Sequence, residues 1–191
     1  MSARRRNPVI SKIEPGLYLG GFKSCFDDYT CITKNNVSAI VTLLEDRWEP
    51  WTDLELVPNG CHMFIPCEDS PTQDILIRLA EICDFIDENR QDGSANNVLV
   101  HCWAGVSRSA TVVVAYLMRK NCQSLDSALA SVRECRRIEP NPNFMEQLAV
   151  WAEVKYELWI DPAKTVPKSP YAAYLARRAE RLKSDSEGVN N

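Results

Sequence analysis

Between His101 and Thr111 the chain reads HCWAGVSRSAT, with five residues separating Cys102 from Arg108. A thiol and a guanidinium at that spacing, with Gly105 between them, suit the capture of a tetrahedral anion. The small residues Ala104, Gly105 and Val106 leave room inside the bend, so successive backbone N–H groups can converge on phosphate oxygens. The same amides, with Arg108, favour a thiolate at Cys102, and a thiolate is a good nucleophile toward phosphorus. Arg108 offers a planar fork for two phosphate oxygens, which lysine cannot match. Ser107 and Ser109 supply hydroxyls, and Ser109 is placed to donate to the sulfur when it becomes a leaving group. Trp103 is the one bulky residue of the loop and is expected at its rim. The plain alternative for Cys102 is a buried structural thiol at a strand-to-helix turn.

A phosphate monoester also needs its leaving oxygen protonated, and the loop contains no acid. Asp69 is the first candidate, in a Ser/Pro loop just after a strand expected to lie beside VLVH. Asp74 and Glu68 rank behind it. A positioned acid of this kind contributes about 10² to 10⁴ in rate.

These groups need a scaffold that delivers them to one place. VLVH, residues 98–101, is short and aliphatic on both faces, as a central parallel strand should be. TVVVAYLM opens a helix over 109–120 that ends in Arg119-Lys120, so the loop sits where a helix N-terminus meets a strand end. Upstream, KIEPGLYLGG predicts two strand pieces broken at Pro15-Gly16, and SCFDDYTCITKNN predicts a helix before the strand VSAIVTLL. CHMFIPCE (61–68) predicts another strand. The pattern Ile75, Leu79, Ile82, Phe85, Ile86 predicts an amphipathic helix from about 72 to 90. Ser124 caps a helix through about Arg136, and Asn141-Pro142 opens one running to about Trp159. The class is α/β, one domain with a central, mostly parallel sheet of about five strands flanked by helices. Residues 1–8, with Arg4, Arg5 and Arg6, are expected as a flexible basic arm. Residues 9–160 form the globular domain, and 161–191 an extension with a short helix and a disordered tail.

Composition narrows the function classes. The chain has 191 residues, a net charge of -4 and 45% hydrophobic residues, enough for a proper core. That charge speaks against a nucleic-acid binder working by bulk phosphate neutralisation. No apolar run reaches membrane-spanning length, and MSARRRNPVI lacks the apolar core of a signal peptide. The expected setting is cytoplasmic, with the nucleus as a further compartment. None of the eight cysteines forms a CxxC pair and only two histidines are present, which offers little to a metal. Most of the cysteines are expected as small core residues, and Cys67 is the candidate resolving thiol for Cys102. His62 is expected to be structural or exposed. Trp48 and Trp51 could line a recognition surface, while Trp151 and Trp159 fall at core spacing on one helix.

The stretch H-C-x-A-G-x-S-R-S-A-T resembles the signature of the cysteine-based protein phosphatases, specifically the small dual-specificity branch. GLYLGG, VSAIVTL, IPCEDSPTQDIL and the segment Arg137-Ile138-Glu139-Pro140-Asn141-Pro142-Asn143-Phe144 extend the resemblance over about residues 12–158. It implies the protein-phosphatase fold, phosphorylated protein substrates and a two-step mechanism needing no metal or cofactor. In that mechanism Cys102 attacks, Asp69 acts first as acid and then as base, and Ser109 helps expel the thiolate. Arg108 and the loop 102–108 hold the phosphoryl group. The resemblance gives His101 a role in orienting and tuning Cys102, the plain alternative being a strand-end histidine satisfied by backbone. Arg137 and Asn141 are expected as supporting residues, with Arg137 bracing the loop or capping a carbonyl rather than touching substrate. The loop lacks the lysines that phosphoinositide-selective relatives tend to carry, and no docking module precedes the domain, so the chain looks like a stand-alone, atypical member.

Two further readings stand beside a protein phosphatase. One is hydrolysis of a non-protein phosphate, such as a phosphoinositide, a glycan phosphate or an RNA 5′ end. The other is a phosphoprotein-binding module without turnover, which would have no need of the nucleophile. Nothing in the sequence fixes the oligomeric state.

Overall fold

The apolar runs of the sequence assemble into five strands: β1 Ile10–Glu14, β2 Leu17–Gly21, β3 Val37–Leu44, β4 His62–Pro66 and β5 Asn97–Cys102. The structure is a computed structural model that describes residues 7–22, 29–47, 54–90 and 96–188. The sheet order is β1-β2-β5-β3-β4, with β1 antiparallel at the edge and the other pairings parallel. This is the expected mostly parallel sheet, with β5 at its centre. Because β5 inserts between β2 and β3, Cys102 lies opposite Gly21 on one side and Leu43 on the other. A carboxyl edge built from several strands in this way is where parallel sheets bind ligands.

Strand alternation divides the core in two. Val98, Val100 and Cys102 of β5 face the larger cluster, while Leu99 joins Ile40 and Ile32 on the opposite side. Among the described residues there are six helices: α1 Thr30–Lys34, α2 Leu79–Asn89, α3 Arg108–Lys120, α4 Leu125–Cys135, α5 Pro142–Glu153 and α6 Ser169–Gly188. Helix α3 is buried continuously from Arg108 to Met118, which is why it is apolar all round. Its basic end is satisfied by α2, where Arg119 pairs with Asp84 at 2.6 Å and Lys120 with Asp87 at 2.8 Å. The caps of α4 and α5 are those the sequence indicates. Ser124 accepts from the Ser127 amide, and Asn141 accepts from that of Phe144.

Three helix boundaries differ from expectation. The helix predicted from residue 72 begins as a 3₁₀ turn at Leu76–Arg78 and becomes α only at Leu79. Side chains hold the preceding loop instead: Gln147 Oε1 accepts from both the Ile75 and Leu76 amides, and Ser70 Oγ from that of Gln73. Asp74 therefore lies in a loop. Helix α5 stops at Glu153 because Lys155 and Tyr156 take left-handed backbone angles, φ 54° and 64°. Trp151 is buried on α5, but Trp159 lies beyond it, bridged to Pro167 and packed edge-on against Tyr171. At the C-terminus, α6 extends 20 residues through Gly188, longer than the short helix expected, and residues 189–191 of the expected tail lie outside the described residues. Its residues Tyr171 and Tyr174 are buried in the core, and that packing supplies what sequence propensity does not.

Residues 1–6 of the predicted arm lie outside the described residues, as do Trp48, Trp51 and Cys25. Asn7 and Pro8 are docked: Asn7 Nδ2 donates to the Arg137 carbonyl at 2.9 Å, and the Pro8 carbonyl accepts from Arg136 at 2.8 Å.

Candidate active site

The loop from Cys102 to Arg108 lies at the carboxyl end of β5, folded over the end of β2. Gly105 sits at φ 66°, and a Cβ there would clash with the Gly20 carbonyl oxygen. A Cβ on Gly21 would likewise meet the Ala104 carbonyl at 2.8 Å. The paired glycines of GLYLGG thus allow one backbone to lie directly on the other. The Phe22 amide donates to the Trp103 carbonyl at 2.9 Å, closing the contact at the loop's near end.

Inside the loop, Cys102 Sγ is buried and accepts two hydrogen bonds. The Gly105 amide donates at 3.3 Å and the Ser109 hydroxyl at 3.1 Å. Both stabilise negative charge on sulfur. Arg108, at the first turn of α3, is 6% exposed and donates to the Cys67 carbonyl at 2.8 Å. Its guanidinium lies 3.6 Å from Glu45 and 4.0 Å from Asp69. Cys102, Trp103, Ala104, Val106, Ser107, Arg108, Asp69, Glu139 and Asn141 line a cavity of ≈ 380 Å³.

Asp69 reaches this cavity from the loop after β4. Its Oδ1 accepts from Ser107 Oγ at 2.8 Å and from Asn141 Nδ2 at 2.7 Å. Ser107 Oγ also accepts from the Asn141 amide at 3.2 Å, so this hydroxyl joins the phosphate loop to the acid loop. The Ser107 hydroxyl is thus committed to Asp69 and the Asn141 amide. Asp74 is engaged elsewhere, accepting from Tyr171 and the Ile77 amide, while Glu68 is exposed and its backbone amide donates to Gln73.

Arg137 is corrected by its neighbour. Arg136 is buried and braces the loop, its Nε donating to the Gly105 carbonyl at 2.7 Å and its Nη2 to that of Ala104 at 3.3 Å. The Arg137 side chain is exposed, and its backbone pairs with Asn7. Arg136 closes α4 in an extended conformation (φ -153°), which turns its side chain inward and the next one outward. Glu139 adds a backbone brace, its amide donating to the Val106 carbonyl at 2.9 Å. The sequence offered no signal separating Arg136 from Arg137, because both sit at the end of one helix.

His101 is fully buried on the opposite face of the sheet from the Cys102 thiol, as alternation along β5 requires. Its Nε2 shares a 2.8 Å hydrogen bond with Thr42 Oγ1, which makes a second 2.8 Å bond to His62 Nε2. Burial, with the nearby His62, drives the His101 pKa down to about 3 and keeps the ring neutral. Cys67 lies at the end of β4, with β3 running between its strand and that of Cys102. Burial pushes its thiol up to about 12, which makes it a slow resolving nucleophile. Among the described residues, no group of three or more His, Cys, Asp or Glu side chains could hold a metal ion.

At the rim, Trp103 is 59% exposed and stacks on Phe22 with centroids 5.0 Å apart. The two rings, with Leu44, Glu45, Asp46 and Arg108, border a second cavity of ≈ 460 Å³ that shares Trp103 and Arg108 with the first.

The model of the family described as "Dual specificity phosphatase, catalytic domain" matches residues 17–154. The human protein dual specificity protein phosphatase 22 is 41% identical over 140 residues, which is 73% of this chain and 71% of that one. A probable dual specificity protein phosphatase of Dictyostelium discoideum is 34% identical over 160 residues, 83% of this chain but only 37% of the relative's own length. The crystal structure of human DUSP28 superposes with a TM-score of 0.68 at 29% identity, covering 80% of this chain and 98% of the other. Among the described residues, no helix is long and apolar enough to cross a membrane.

Proposed function

Since the chain belongs to the dual specificity phosphatase family, we propose that it hydrolyses phosphotyrosine and phosphoserine or phosphothreonine in proteins through a cysteinyl-phosphate. The observation that carries this reading is the environment of Cys102: its sulfur accepts from the Gly105 amide and the Ser109 hydroxyl, inside a loop that Ser107 ties to Asp69. A structural thiol has no need of two donors and a neighbouring carboxylate.

In the first step the Cys102 thiolate attacks phosphorus, the bond to the ester oxygen breaks, and protonated Asp69 gives that oxygen its proton. In the second, the Asp69 carboxylate takes a proton from water as the water oxygen bonds to phosphorus. The sulfur–phosphorus bond breaks, inorganic phosphate forms, and the Ser109 hydroxyl stabilises the departing thiolate. Arg108 and the amides of residues 103–108 hold the phosphoryl oxygens throughout, where preorganised donors act most strongly. Arg136 and Asn141 act through the loops they hold. Carboxylates at the rim, Glu45 and Asp46, support a singly phosphorylated protein segment over a polyanionic inositide or RNA end.

The test is hydrolysis of aryl phosphates of graded leaving ability, followed by phosphotyrosine and phosphothreonine peptides. Cys102→Ser is expected to abolish turnover while leaving the melting temperature close to wild type. Asp69→Asn is expected to slow poor leaving groups far more than good ones. Residual turnover in the serine variant would refute the nucleophile, and equal losses across leaving groups would remove Asp69 as the acid.

A further inference from the structure

Helix α6 begins beyond the matched catalytic domain, which ends at residue 154. Three of its side chains nevertheless reach the loop that carries Asp69. Arg178 Nε donates to the Thr72 carbonyl. The Tyr174 hydroxyl donates to Asn143 Oδ1 at 3.2 Å and lies 3.4 Å from the Gln73 carbonyl. The Tyr171 hydroxyl donates to Asp74 Oδ2 at 3.2 Å. Both rings are buried and stacked on each other, which fixes where their hydroxyls point. The helix is itself anchored to α5, where Arg177 and Arg181 grip the two oxygens of Glu146 at 2.7 and 2.9 Å.

Residues 69–75 lie between β4 and the first helical turn, and partners outside the segment hold much of it in place. Helix α5 provides one set: Asn143 and Gln147 each donate to the Gln73 carbonyl at 2.8 Å. The phosphate loop provides Ser107, and α6 provides the three contacts above. A loop of this kind keeps its shape only while its backbone groups have partners. Removing Arg178 takes a charged donor from Thr72, three residues from the Asp69 carboxylate. A proton donor displaced by even about 1 Å loses much of its effect.

We propose that α6 is a clamp on the acid loop, with Arg178 as the positioning residue that keeps Asp69 in register with the leaving oxygen. This rests on Asp69 being the acid, as proposed above. Arg178 touches no substrate. Its contribution passes through Thr72 to Asp69, so it matters most where protonation of the leaving group limits the rate. Tyr174 and Tyr171 hold the same segment one and two residues further along. The clamp also gives the C-terminal segment a purpose that ordinary core stabilisation does not: it couples docking of α6 to the proton-transfer half of the reaction.

The experiment compares phenyl phosphate, a poor leaving group, with 4-nitrophenyl phosphate, a good one, on the full-length protein. Arg178→Ala is expected to lower kcat on phenyl phosphate by about tenfold, below the full effect of a positioned acid, and on 4-nitrophenyl phosphate by less than about twofold. Arg178→Lys, which keeps a donor, is expected to recover most of the loss. In the Asp69→Asn background the same change should have no further effect, since contributions acting through one group do not add. Tyr174→Phe should give the same signature in weaker form, and thermal melts verify that each variant is folded. A loss that is equal for both substrates, or one that adds to that of Asp69→Asn, would reduce α6 to a stabilising element and overturn the clamp. If Asp69→Asn itself shows no leaving-group dependence, the acid assignment falls and the clamp falls with it. Dependence in Asp69→Asn but not in Arg178→Ala overturns the clamp alone.

Discussion

Ser109 and His101 stand near the nucleophile, yet chemistry separates them. The Ser109 hydroxyl donates directly to Cys102 Sγ at 3.1 Å, and in the proposed mechanism it stabilises the thiolate as that sulfur leaves phosphorus. Ser109→Ala is expected to slow hydrolysis of the phosphoenzyme by about 10²-fold, comparable to the loss of one preorganised donor. Rapid-quench kinetics should then show a burst of alcohol product followed by slow turnover. His101 instead lies across the sheet, neutral and bonded to Thr42. Its folded pKa of about 3 lies below the ordinary imidazole value of 6.5, so the unfolded chain binds its proton first as pH falls. Stability from this residue is therefore complete above pH 6.5 and is lost between there and pH 3. The slope is about 1.4 kcal/mol per pH unit, or roughly 2 kcal/mol between pH 7 and 5. Denaturant titrations at those two pH values should show a smaller loss in His101→Asn than in wild type. Cys102, Arg108 and Gly105 were legible because their chemistry is intrinsic to the residue type. The use of the Ser107 hydroxyl on Asp69 was not, since a hydroxyl serves any nearby acceptor.

Elements matter through what they carry to the carboxyl edge of the sheet. The crossing of β5 between β2 and β3 brings the glycines of β2, the thiol of β5 and Glu45 after β3 together, with the acid loop arriving from β4. Helix α4 contributes by ending: its terminal Arg136 turns into the loop and its neighbour turns away. Arg136→Ala removes donors to Gly105, Ala104 and Pro8, and should cost about 2–4 kcal/mol, since hydrogen bonds from a buried charged group are among the strongest. That corresponds to a fall of roughly 4–16 °C in melting temperature, with activity reduced as the loop loosens. Arg137→Ala, by contrast, should leave both within experimental error. Strands and the α3 helix were readable from their apolar runs and the turn residues that bound them. Helix ends were not, because side chains distant in sequence, Gln147 above all, decided where hydrogen bonding of the helical kind begins.

Across the whole molecule, charge and shape set what can approach the thiolate. The protein carries a net charge of -4, and the cavity beside the phosphate site is bordered by Glu45, Asp46 and the Trp103–Phe22 stack. Binding of a phosphate dianion to Arg108 puts negative charge beside Glu45, so a cation in the substrate relieves repulsion there. Phosphopeptides with lysine next to the phosphorylated residue should exceed glutamate-flanked ones in kcat/KM by about tenfold at low ionic strength. The ratio should shrink in high salt and in Asp46→Asn, with steady-state kinetics as the measure. The amino-acid sequence by itself determined the layered α/β class and carried the proposed nucleophile and anion cradle, since apolar runs, spacing and small residues express those locally. Only the tertiary structure decided which arginine braces the loop, which face His101 occupies, and that a helix beyond the matched domain grips the acid loop. Those are contacts between residues tens to more than a hundred positions apart, and the folded arrangement of the sheet and helices sets them.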